Sequence, residues 1–167
     1  MRRLWKYSLE TSGGMDMSAD FVHLHVHSAF SLLDGCSRIT DLVATAKDYD
    51  MPALALTDHG VMYGSIEFYK AARDAGIKPI IGCEVYVAPR SRQDRTPRVD
   101  DELAHLVLLA TNQEGYRNLL NLVSRAYLEG FYYKPRVDKE LLSQFSAGLI
   151  ALSSCLAGEV PARLLEG

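Results

Sequence analysis

Residues 21–28 read FVHLHVHS and hold three of the five histidines of the chain, His23, His25 and His27. Apolar residues and histidines alternate with the two-residue period of a β-strand, so we predict a strand over 21–27 with the three imidazoles on one face. Two imidazoles at alternate positions of a strand can reach one metal ion. The spacing is weak evidence alone, because a polar strand face or hydrogen-bonded core histidines produce the same pattern.

Strands and helices alternate through the rest of the sequence. We predict strands at 53–57, 78–88, 105–110 and 148–154, helices at 37–50, 64–76 and 112–130, and a further helix near the end of the chain. This order is typical of a parallel α/β sheet or a β/α barrel. Five such units are too few to close an eight-unit barrel, so we expect the chain to be part of a longer domain.

Composition sets limits on the function. A length of 167 residues suits one domain, and the net charge of −3 gives no overall signal for nucleic acid binding. Three widely spaced cysteines favour a reduced, cytoplasmic setting, and no apolar run is long enough to predict a membrane segment. Residues 1–20 lack the apolar core of a signal peptide and are predicted to be a loose leader before a domain at 21–167.

Further candidate metal ligands follow or occupy the predicted strands. His59 lies in TDHG after the second strand, Glu84 lies in the third, Cys155 follows the fifth, and Asp34 lies in the loop after the first. The carboxyl ends of barrel strands form one active-site face, so we expect these side chains to converge with His25 and His27. Such clusters activate water and stabilise charge on a phosphoester. His105 begins its strand, and its position alone favours a structural role.

The motifs HLHVHS, SLLDG, ALALTDHG and GCEVYVA, the histidine of HLVLLA and the cysteine of SSCLAG together resemble the PHP superfamily of metal-dependent phosphoesterases. The resemblance implies a distorted, TIM-like barrel of seven strands, truncated here, with up to three divalent ions of zinc, manganese or iron. The ligands it implies are His25, His27, Asp34, His59, Glu84, His105 and Cys155, of which His25, His27, His59 and Glu84 act in catalysis through the metal. It leaves Asp58 as a neighbour that orients the ligands and His23 as either such a neighbour or a structural residue, and two further ligands are expected after Gly167.

The connecting sequences GSIEFYKAARDAGIKPIIGCEVYVAPRSR and NLLNLVSRAYLEGFYYKPRVD resemble the N-terminal PHP domain of bacterial DNA polymerase III alpha subunits. This implies a parent DNA-directed DNA polymerase whose polymerase domains lie outside this chain. It also implies 3′→5′ exonuclease proofreading at the metal site. The implied partners are primer–template DNA, a sliding clamp, a clamp loader and a separate exonuclease subunit.

Three other interpretations stay open at this point. One is a free-standing phosphatase of the histidinol-phosphatase type, and another is a structural or docking module without catalysis. The third is the error-prone paralogue of the replicative subunit.

The segment 88–104 is predicted to be a polar loop with four arginines, Arg90, Arg92, Arg95 and Arg98, followed by acidic residues. The arginines can position a DNA backbone, but a solvated loop with Arg–Asp pairs is the favoured interpretation.

Overall fold

The computed structural model describes residues 21–32 and 34–166, so the predicted leader at 1–20 lies outside the described residues. The described part contains five helices and five strands. In chain order they are α1 (Ile39–Asp48), β1 (Ala53–Leu56), α2 (Ser65–Ala75), β2 (Lys78–Val87), β3 (Ala104–Ala110), α3 (Gln113–Leu128), β4 (Arg136–Val137), α4 (Lys139–Gln144), β5 (Leu149–Leu152) and α5 (Glu159–Glu166).

The strands form one mixed sheet in the order β1-β2-β3-β5, with β4 also paired to β2. β1 and β4 run parallel to β2, whereas β3 runs antiparallel to both β2 and β5. The predicted α/β class is confirmed, but the prediction of a parallel sheet is wrong for β3. The chain between β2 and β3 contains no helix, so it reverses direction without the helical crossover that parallel neighbours normally need.

The segment 21–27 lies beside β1 but does not form the predicted strand, and its backbone bends at His25. Ala55 and Thr57 donate backbone hydrogen bonds to the carbonyls of His23 and Val26 at 3.0 and 2.8 Å. The donors are two residues apart and the acceptors are three apart, so the two segments are not in the regular register of paired strands. The strict alternation that placed the three histidines on one face is therefore lost.

Apolar residues pack on both sides of β2 and its neighbours. Cys83, Val85 and Val87 alternate along β2 and pack with buried residues of α3 and α4 in one cluster. A second cluster joins α1, α2 and β1 around Phe68. Because side chains alternate along a strand, Glu84 and Tyr86 point to the face of β2 opposite α3. The α3 layer therefore fixes the strand that carries the central carboxylate.

The loop between β2 and β3 contains Arg–Asp pairs, as predicted, but it is not the solvated loop that was expected, because Arg92 and Asp100 are buried. Arg90 forms a salt bridge with Asp100 at 2.6 Å, and Arg92 is buried against Asp138 at 3.0 Å and Glu129 at 2.7 Å. The buried Arg136 donates to the backbone carbonyls of Gly130, Arg92, Asp94 and Asp100. A buried cation is tolerated only when its donors are satisfied in this way.

No helix within 21–32 and 34–166 is long and apolar enough to cross a membrane.

Candidate metal centre

The directions of the strands bring the predicted ligands to one end of the sheet, where β1, β2 and β5 finish and β3 begins. His59 lies just beyond β1 and pairs with Glu84 of β2 in an isolated parallel bridge. His105 is the second residue of β3. Because β3 is antiparallel to β2, the first residues of β3 lie beside the last residues of β2, and His105 lies opposite Tyr86. β5 runs parallel to β2, and residues 153–155 follow its carboxyl end. The direction of β3 thus explains why a histidine at the start of a strand reaches the site.

Glu84 is the centre of the cluster and is 1% exposed. Its Oε2 lies 3.1 Å from His25 Nε2, 3.2 Å from His27 Nε2 and 2.9 Å from His59 Nδ1. Its Oε1 lies 3.3 Å from His105 Nδ1. The side chains form two three-residue groups suited to a metal ion, His25–His27–Glu84 and His59–Glu84–His105. The carboxylate belongs to both groups, as a bridging ligand would.

The buried atoms at the centre fit a cation. His59 Nδ1 and Glu84 Oε2 are buried without a hydrogen-bond partner among the described residues, although they lie 2.9 Å apart. The Nε2 atoms of His25 and His27 also approach each other, at 3.0 Å. Buried polar atoms normally have partners, and imidazole with carboxylate is a donor set used by zinc, manganese and iron. The donor set and the unpaired buried atoms therefore fit divalent metal ions.

The charge balance of the metal-free cluster depends on Glu84. Burial alone would raise the pKa of Glu84, but contacts with His105, His27, His59 and Ser154 outweigh burial and hold that pKa well below its usual value. The same carboxylate is the largest cause that raises the pKa values of His59 and His105. An ionised carboxylate beside basic imidazoles is the protonation state from which a divalent cation can displace protons.

Asp58 is connected to the histidines through a serine hydroxyl. The buried Asp58 carboxylate accepts hydrogen bonds from Ser28 N at 2.6 Å, Ser28 Oγ at 2.8 Å and Ser31 Oγ at 2.7 Å. Ser31 Oγ also lies 3.1 Å from His27 Nδ1 and accepts from His59 N at 3.1 Å. Neither serine could be predicted from the sequence, because a single hydroxyl forms no recognisable pattern.

Gly60 explains why a glycine follows His59. Its φ is +63°, and a Cβ there would lie 2.9 Å from the Pro135 ring and 3.1 Å from the Tyr86 ring. Gly60 N donates to the carbonyl of Glu84 at 2.8 Å, which fixes His59 beside the carboxylate. Positive φ and the close approach both favour glycine.

Asp34 and Cys155 lie at the outer edge of the cluster. Asp34 Oδ2 is 2.8 Å from His59 Nε2, on the opposite side of the imidazole from Glu84, and its side chain is 58% exposed. Cys155 Sγ is 3.8 Å from His105 Nδ1. Burial raises the Cys155 pKa, but the Ala157 backbone N–H, Ser154 and His105 outweigh it, so the pKa lies below its usual value. Both side chains contact an inner histidine rather than completing either group around Glu84.

His23 lies apart from the carboxylate. Its exposed ring packs edge-on against Phe21 at a centroid distance of 4.7 Å, and it lines a cavity of about 690 Å³ with His25 and His27. The backbone carbonyl of His23 accepts the hydrogen bond from Ala55 N that joins this residue to the sheet.

Tyr86 forms a wall of the site that the sequence did not predict. Its ring stacks against His59 at 5.9 Å and meets His105 edge-on at 5.1 Å. Lys134 Nζ lies over the same ring, 5.4 Å from its centroid. Burial, followed by the Asp34 and Glu84 charges, raises the pKa of Tyr86 to about 12, so the phenol stays neutral.

The chain is similar in sequence to bacterial DNA polymerase III alpha subunits. The chain is 60% identical over 148 residues to the DNA polymerase III subunit alpha of Treponema pallidum, covering 88% of this chain and 13% of the relative. It is 51% identical over 156 residues to that of Thermus aquaticus, covering 91% of this chain and 13% of the relative. The chain thus spans about an eighth of the length of these relatives.

A solved amidohydrolase from Chromobacterium violaceum, with bound sulfate and no metal, aligns with 63% of this chain and 32% of its own. The TM-score is 0.46 and the identity is 28%.

The polymerase relatives confirm the resemblance to DNA polymerase III alpha subunits and do not support a free-standing small phosphatase. The PHP domain family matches residues 23–167. The chain therefore belongs to the PHP domain family.

Proposed function

We propose that this chain is the PHP region of a DNA polymerase III alpha subunit and that it holds a divalent-metal centre for phosphodiester hydrolysis. One observation carries the proposal: the buried Glu84 carboxylate belongs to both ligand groups, His25–His27 and His59–His105. Buried charges in proteins are paired or coordinate a metal, and groups whose pKa values are strongly shifted by such neighbours concentrate at functional sites. The 50–60% identity to polymerase alpha subunits supports the choice of parent protein.

The residues of the chain would bind and orient. His25, His27, His59, His105 and Glu84 are the inner ligands that we propose, and Asp34 and Cys155 are the outer ones. Ions bound there would supply Lewis-acid stabilisation of a phosphoryl group and lower the pKa of a water molecule. Asp58, through Ser31, would fix the tautomer and direction of His27. Tyr86 would exclude water from one side of His59.

The proposed reaction is 3′→5′ hydrolysis of the terminal phosphodiester of a primer, while other domains of the parent extend that primer as a DNA-directed DNA polymerase. The proposed partners are primer–template DNA, a sliding clamp, a clamp loader and a separate exonuclease subunit, in the cytoplasm. Arg95 and Arg98 are exposed and form no salt bridge within the described part of the chain. These two arginines, unlike Arg90 and Arg92, are available to DNA phosphates.

The test compares metal content and nuclease activity in His25→Ala and His23→Ala. His25 Nε2 contacts Glu84 at 3.1 Å, whereas His23 is exposed and packs on Phe21. We expect His25→Ala to lose bound metal and the release of nucleotides from a 3′-labelled primer, and His23→Ala to keep both. Bound metal with no hydrolysis would leave a structural or docking role. Absence of bound metal in the wild-type chain would refute the proposed centre.

A further inference from the structure

Ser154 occupies a conformation that serine rarely adopts. Its φ is +65°, in the left-handed region where a side chain costs free energy and glycine does not. Non-glycine residues in such regions concentrate at sites where the surrounding structure holds a side chain in place. Ser154 is half-buried in the turn that follows β5, between Ser153 and Cys155.

The turn is anchored to the site by its backbone. Gly158 N donates to the carbonyl of Cys155 at 2.9 Å, and His105 N donates to the carbonyl of Ala157 at 2.9 Å. These hydrogen bonds join the segment that contains Ser154 to β3, the strand that carries His105.

The hydroxyl of Ser154 donates a hydrogen bond to Oε1 of Glu84. The two carboxylate oxygens then have separate surroundings. Oε1 faces Ser154 and His105, and Oε2 faces His25, His27 and His59. A carboxylate shared by two ions presents one oxygen to each of them, and a fixed donor on one oxygen favours this orientation.

We propose that Ser154 is a positioning residue for the shared carboxylate: its hydroxyl holds Oε1 of Glu84 on the His105 side, so that Glu84 serves both ligand groups at once. This inference rests on the proposed metal centre and adds a residue outside the predicted ligand set. Partners of this kind typically change metal affinity by about 10- to 100-fold when removed.

Two substitutions separate the hydroxyl from the backbone. Ser154→Ala removes the hydroxyl and keeps a side chain at positive φ. Ser154→Gly removes the hydroxyl and relieves the backbone cost, so a loss of metal affinity that both variants share comes from the hydroxyl and not from the backbone. Ser153→Ala is the control, because it removes an exposed neighbouring hydroxyl.

The measurement is a Mn²⁺ titration by calorimetry, followed by electron paramagnetic resonance of the loaded protein, whose spectrum reports coupling between two Mn²⁺ ions. We expect wild type and Ser153→Ala to bind two ions with a coupled signal. In both Ser154 variants we expect the weaker ion to lose about 10- to 100-fold in affinity and the coupled signal to disappear.

Other outcomes have distinct meanings. If Ser154→Gly binds Mn²⁺ with wild-type affinity and shows the coupled signal, the inference is wrong. This holds even when Ser154→Ala is impaired, because that loss would then come from the backbone. A wild-type chain with a single ion and no coupling would also overturn it, while the metal centre would stand. A wild-type chain that binds no Mn²⁺ would overturn the proposed function together with this inference.

Discussion

Glu84 controls the protonation of the imidazoles around it in the metal-free chain. It is the largest cause that raises the pKa values of His59 and His105. A raised folded-state pKa contributes stability that is complete below the unfolded value near 6.5 and is lost as pH rises through the folded value. In Glu84→Gln a neutral amide replaces the carboxylate. We therefore expect both histidine pKa values to fall and the loss of stability above about pH 6.5 to become smaller.

Histidine titration by NMR and urea unfolding of the metal-free protein, between about pH 5 and 9, measure the two effects. Unchanged titration of His59 and His105 in the Gln variant would mean that Glu84 does not set their charge.

Asp100 gives a second pH dependence, remote from the cluster. Its carboxylate accepts from Arg90 Nη2 at 2.6 Å and from Thr96 N at 2.7 Å, and its pKa is lowered to about 2, chiefly by Arg90. A lowered pKa contributes stability above the unfolded value near 3.9 that is lost as pH falls toward the folded value. We expect wild type to be more stable than Asp100→Asn at pH 7 and the difference to shrink between about pH 4 and 2.

Urea unfolding across this range checks the expectation, with the exposed neighbour as control in Asp101→Asn. A stability difference that stays constant down to pH 2 would show that the lost interaction does not depend on the charge of Asp100.

At the scale of elements, α3 fixes the strand that carries Glu84. Leu122 is fully buried between α3 and the sheet, whereas Leu128 of the same helix is 84% exposed. We expect Leu122→Ala to lower the free energy of unfolding by about 2–5 kcal/mol and Leu128→Ala to change it by about 0.5 kcal/mol or less. Urea unfolding of the two variants measures this contrast. Equal losses of unfolding free energy in the two variants would mean that α3 does not pack on the sheet through the side of the helix that carries Leu122.

Element positions could be predicted where the periodicity is long. The helices predicted at 64–76 and 112–130 are α2 (Ser65–Ala75) and α3 (Gln113–Leu128), each within two residues at both ends. β4 and α4 were missed, because two strand residues and six helical residues give too little periodicity to recognise. The direction of β3 was missed because strand pairing is decided by residues distant in sequence.

Across the whole molecule, the chemical types of the candidate ligands could be predicted, but their arrangement could not. Strand ends and the resemblance both pointed to His25, His27, His59 and Glu84 as candidates. The two oxygens of the Glu84 carboxylate have different neighbours, and this depends on contacts between residues as far apart in sequence as Glu84 and Ser154. Local sequence contains no signal for a hydroxyl that must reach across a sheet. The supporting serines therefore emerged only from the three-dimensional structure.

Metal binding should couple to the stability of the whole chain. The proposed inner ligands come from the segment before β1, from the turn after β1, and from β2 and β3, so an ion bound to them would connect parts of the chain that lie together only in the folded state. A ligand that binds only the folded state stabilises it by about 2.7 kcal/mol at 100 times its dissociation constant. We expect the melting temperature of wild type to rise with Mn²⁺ or Zn²⁺ concentration and to return to its starting value with a chelator. His25→Ala should show a reduced rise and His23→Ala the full rise. Metal binding and unfolding are linked thermodynamically. A melting temperature that does not depend on metal concentration would therefore mean that the folded chain binds these ions no better than the unfolded chain does.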